Sequence, residues 1–119
     1  MDRFFADTYV ALNNDLRILA AIGIRTAFDR ASQLLGIAPE KTFADKLGEL
    51  HRQSHVNSDE KDAIEVLIDA GSAAAHRGWK PKPSELNDLM SILEHFLQRS
   101  FIIADTARAI KQSVPPRQP

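Results

Sequence analysis

Cysteine is absent from the 119 residues, which removes disulfides, thiolate nucleophiles and cysteine-type zinc sites together. Long apolar runs are lacking as well: none follows a basic segment in the manner of a signal peptide, and none is long enough to span a bilayer. Charge of one sign is not in excess either. With 15 basic and 16 acidic residues the formal net charge is −1, so there is no global positive field of the kind that drives nonspecific nucleic-acid binding. Any RNA contact would have to be local. These absences lead to the expectation of a soluble, cytoplasmic chain with no membrane partner.

What is present is the composition of a folded domain. The apolar share of 44% and the charged share of 26% lie near globular averages, and the length suits one domain able to bury its own core. Residues 1–112 read as that domain, and Ser113 to Pro119, with three prolines, as a flexible tail. No alternating β pattern, internal repeat or low-complexity block interrupts it.

Helical spacing runs through the domain. Phe4, Phe5, Tyr9, Val10 and Leu12 suggest a short first helix, with Asn13, Asn14 and Asp15 as N-cap types before the next. Leu16, Leu19, Ala20, Gly23, Ala27, Ala31 and Leu34 recur at steps of three and four, and Gly36 stops that second helix. Thr42 caps a short third helix carrying Phe43, Leu47 and Leu50. Asn57 and Glu60 have the spacing of a capping box, behind which a fourth helix continues to about His76. Two prolines make residues 77–83 a loop anchored by Trp79. From Ser84 an apolar stripe continues through Leu86, Leu93, Phe101 and Ile110, roughly 27 residues or about 40 Å. The expected fold is all-α: a four- to five-helix antiparallel bundle whose long C-terminal helix overhangs it. The small residues of the second helix, and Ala70, Gly71, Ala73, Ala74 and Ala75 of the fourth, predict that these two are direct neighbours.

Chemistry-bearing side chains collect on those same helices. Glu65, Asp69, Ser72 and His76 fall at steps of four, three and four, one polar stripe at about 100° per residue. His76 reads either as a general acid or base, since only histidine has an unperturbed pKa near 6.5, or as a residue stabilised by the helix C-terminal dipole. A Ser72–His76–Asp69 triad is disfavoured because one regular helix offers neither a strained elbow nor an oxyanion hole. Arg25, in an apolar stretch, needs a partner. Asp29 four residues on would give a structural pair; otherwise Arg25 or Arg30 could reach toward His76 and bind a phosphate or the anionic group of a small ligand. His51 and His55 lack an HExxH context and read as surface residues, so no metal or cofactor is expected. Trp79 reads as a packing anchor, with Lys80 and Lys82 beside it as the place for a small nucleic-acid patch.

The combination of Ile24-Arg25-Thr26-Ala27-Phe28-Asp29-Arg30, then Asp69-Ala70-Gly71-Ser72-Ala73-Ala74-Ala75-His76, then a Gly-Trp-Pro loop and a long closing helix resembles the HEPN superfamily of helical bundles. More narrowly, it is similar to the bacterial branch found as an accessory domain of restriction-endonuclease subunits and other defence proteins, in which a Gly-Asn/Ser-x-Ala-Ala-His stretch recurs. The resemblance runs from about Leu16 to Ile103. It implies a self-associating bundle, a homodimer through apolar helical faces, with an RNA or protein partner. Because the branch usually occurs within longer proteins, the chain reads as either a fragment or a stand-alone form. Superfamily members that are metal-independent ribonucleases carry an arginine, four to six residues, then a histidine. The histidine matches His76, whereas Asp69, Ala70 and Gly71 occupy the arginine positions. The resemblance therefore implies an interaction module without an intact nuclease pair; the alternative is a divergent ribonuclease in which Arg25, Arg30 or Arg77 takes over the phosphate.

Overall fold

A computed structural model describes residues 16–117. The expected short first helix and the Asn13–Asp15 caps lie outside them. The described residues form helices and connecting loops only: α1 (Arg17–Leu34), α2 (Phe43–Arg52), α3 (Ser58–Arg77) and α4 (Pro83–Leu97), which continues through a π-helical turn (Gln98–Ile103) into α5 (Ala104–Ser113). This is a small helical bundle closed by one helical rod of 31 residues. Among the described residues, no helix is long and apolar enough to cross a membrane.

Local chemistry sets the boundaries. Thr42 accepts a hydrogen bond from the Asp45 amide at 3.1 Å and starts α2. At α3, Asn57 Oδ1 accepts from the Glu60 amide while Glu60 Oε1 accepts from the Asn57 amide, both at 2.8 Å, so two orphan donors are satisfied reciprocally. Gly78 ends α3 at φ 66°, a left-handed conformation that costs glycine no Cβ clash. The Trp79 amide then turns back to the Ala73 carbonyl at 3.1 Å. Pro83 opens α4, where its missing N–H costs nothing.

The core is one cluster drawn from all four bundle helices. Ala20, Ile24, Ala27, Phe28 and Ala31 of α1, Leu50 of α2, Ile64 and Leu67 of α3, and Leu86, Leu93 and Phe96 of α4 are each at most 2% exposed. The rings of Phe28 and Phe96 meet at 5.3 Å, tilted by 50°. α1 packs more extensively on α3 than on any other helix, as the small-residue rows predict. The use of that closeness differs from expectation. A Cβ at Gly71 would stand 2.5 Å from Arg25 Cβ and 2.9 Å from its Cδ, so the missing side chain makes a bed for the arginine stem. The closing helix exceeds the bundle: every residue from Ile102 to Arg117 is exposed.

Candidate functional site

Arg25 leaves its bed on Gly71 pointing toward α2, where its guanidinium lies over the Phe43 ring at 5.2 Å from the centroid. Beyond it opens a cleft of about 470 Å³ between α1, α2 and α3. The α3 wall is the predicted polar stripe in part: Glu65, Asp69 and Ser72 line it, joined by Lys61 one step toward the N-terminus. Spacing alone extends that stripe backward to Lys61, the signal by which it could have been found. Ala44, Leu47 and Ile68 form the apolar remainder of the lining.

The cleft brings Arg25, Asp69 and Ser72 together and leaves the other candidates outside. His76, a full step past Ser72, is exposed and makes no hydrogen bond or ion pair with a described residue. Arg30 and Arg77 are also exposed and do not line the cleft. Trp79 is half-buried and the neighbouring Pro81 fully so, which fixes the loop against the bundle. No group of three or more metal-ligating side chains occurs among the described residues.

The expected Arg25–Asp29 pair is replaced by another. Asp29 receives Lys46 Nζ of α2, together with the Gln33 amide at 3.2 Å. Lys46 has a side chain only 5% exposed, and its Nζ also lies over the Phe43 ring at 5.3 Å. A buried ammonium cannot remain unpaired, so it takes the carboxylate. The exchange leaves the Arg25 guanidinium without a carboxylate partner among the described residues.

A second polar junction escapes a reading by spacing. Glu60, besides its capping role, binds His95 Nε2 at 2.7 Å and Arg99 Nη1 at 2.5 Å, 35 and 39 residues away. Its side chain is 11% exposed. Burial, the largest influence, raises the carboxyl pKa, but the Asn57 amide, His95 and Arg99 together outweigh it and hold Glu60 below its ordinary value. Arg99 lies in the π-helical turn, so this junction ties the start of the overhanging segment to the N-terminus of α3. Beside it is an apolar cavity of about 320 Å³ lined by Val56, Ile64, Ile92 and Phe96.

Among known proteins, the model of a family described as a domain of unknown function, DUF4145, matches residues 6–113. That match ends at Ser113, where α5 ends. No curated protein and no solved structure matches the chain.

Proposed function

The chain belongs to the DUF4145 family, a domain of unknown function; from the sequence resemblance to the HEPN superfamily and the exposed face of α5, we propose that it is a HEPN-like helical interaction and dimerisation module of a nucleic-acid-related or defence system. It works by contact and not by turnover. The observation that carries this reading is α5. Ile103, Ala107 and Ile110 follow at steps of four and three, one apolar face of the continuing helix, and Val114 follows as its extended C-cap. Asp105 and Arg108, joined at 2.9 Å, stand off that face. Yet α5 buries none of its residues, and Ile103, Ile110 and Val114 are half or more exposed. A sequence patterned for burial but unburied marks an interaction surface. A second copy supplies an identical apolar face, and the mixed signs of Asp105, Arg108 and Lys111 let two such helices meet without a block of like charge.

The surroundings of His76 support the same reading. The three positions that would hold the arginine of a ribonuclease pair are Asp69, Ala70 and Gly71, and Gly71 is occupied in seating Arg25. Sedimentation velocity on the full chain tests the proposal: a dimer is expected, converted to monomer by Ile110→Glu. RNA incubated with the protein in excess chelator is expected to stay intact. Metal-free cleavage abolished by His76→Ala would replace this reading with the ribonuclease one.

A further inference from the structure

The cleft beside Arg25 is independent of α5 and combines four charged groups without a single bond between them. Arg25 and Lys61 supply two positive charges, Glu65 and Asp69 two negative ones, and none of the four enters an ion pair among the described residues. Elsewhere in the bundle Lys46 pairs with Asp29, and Arg99 and His95 pair with Glu60; in the cleft Arg25 and Lys61 are half-buried, and Glu65 and Asp69 are exposed at its mouth. The placement of Arg25 is built, because Gly71 alone leaves room for its stem and Phe43 supports its guanidinium. A volume of about 470 Å³ lies within the range of small-molecule sites.

We propose that this cleft binds a small apolar amino acid as its zwitterion. The ligand carboxylate meets the planar fork of Arg25, the geometry a guanidinium recognises best. The ligand ammonium meets Asp69 and Glu65, with the Ser72 hydroxyl as a further acceptor. Ala44, Leu47 and Ile68 take the apolar side chain. Charge balance selects this chemistry over a phosphate: the four groups sum to zero, which suits a neutral zwitterion, whereas a phosphate dianion would face two carboxylates across the same cleft.

Isothermal titration of the full chain with four probes tests the assignment: L-leucine, N-acetyl-L-leucine, L-leucinamide and adenosine monophosphate. Leucine is expected to bind, and blocking either of its charges to weaken binding about tenfold or more. Arg25→Lys and Gly71→Ala are expected to lower the affinity for leucine while leaving the residual affinity for leucinamide unchanged, since leucinamide has no carboxylate for Arg25 to hold. Failure of leucine to bind at millimolar concentration overturns the proposal. So does N-acetyl-leucine binding as tightly as leucine, or adenosine monophosphate binding in its place with a dependence on Arg25.

Discussion

Between Ala20 and Phe96 the apolar side chains at helical spacing are nearly all buried, with Leu34 and Val66 the large exceptions; from Ile102 onward every one is exposed. Both regions carry the same kind of pattern, and the rod of α4, the π-helical turn and α5 passes from one regime to the other without a break. The difference shows that an amphipathic stripe specifies a helix and a face, but not where the partner of that face comes from. In the bundle the partner is the chain's own next helix. Beyond Phe101 no helix among the described residues covers the rod.

Cutting the same kind of side chain from each region separates the two most strongly. Phe28→Ala, at a site with no exposure and an aromatic neighbour, is expected to cost about 3–5 kcal/mol in urea unfolding. Ile110→Ala is expected to change the stability of the dilute protein by no more than about 0.5 kcal/mol, its effect emerging only as protein concentration rises. A concentration-independent loss at Ile110 as large as that at Phe28 would place α5 within the folding unit of the bundle.

The junction between the regions comes next in size. Glu60→Ala removes a cap and two long-range bonds at once, and is expected to cost about 1–3 kcal/mol. The pH dependence follows from the direction of the Glu60 shift. Its carboxyl has a lower pKa folded than unfolded, so its contribution is fully present above the ordinary carboxylate range and is lost as pH falls through the lowered folded value. Urea midpoints measured across acidic pH should therefore fall less steeply in Glu60→Gln than in the natural chain. A parallel fall in both would remove Glu60 from the account of acid unfolding.

The smallest effect lies inside the π-helical turn. Ser100 Oγ is buried there without a hydrogen-bond partner among the described residues, so Ser100→Ala is expected to raise stability by about 1 kcal/mol. A loss instead would mean that the hydroxyl is satisfied in solution.

Much of this organisation is legible in sequence because it is local. Helical spacing locates α1 and α3, Thr42 and the Asn57–Glu60 box mark where α2 and α3 begin, and the stripe from Leu86 to Ile110 predicts an overhanging helix. Long-range pairing is not legible. Asp29 has Arg25 and Arg30 beside it, yet takes Lys46, which the packing of α2 brings in as a buried charge. Glu60 announces its capping role at a spacing of three residues but not its bonds to His95 and Arg99. Gly71 reads as one small residue in a row of small residues; only the fold reveals that it seats one particular arginine. The π-helical turn has no spacing signature; within it Arg99 binds Glu60 and Phe101 packs at the edge of the core. As for the site, Glu65, Asp69 and Ser72 of the stripe line one wall of the cleft, and His76 lies past its end.

On the proposed reading, the exposed face of α5 exists for a second copy of the chain. Sedimentation equilibrium over a wide range of concentration tests it most directly, with Ile103→Glu and Ile110→Glu as controls. A reversible dimer is expected, which either substitution converts to a folded monomer. A natural chain that stays monomeric to the highest concentration reached, or a dimer indifferent to both substitutions, would contradict it.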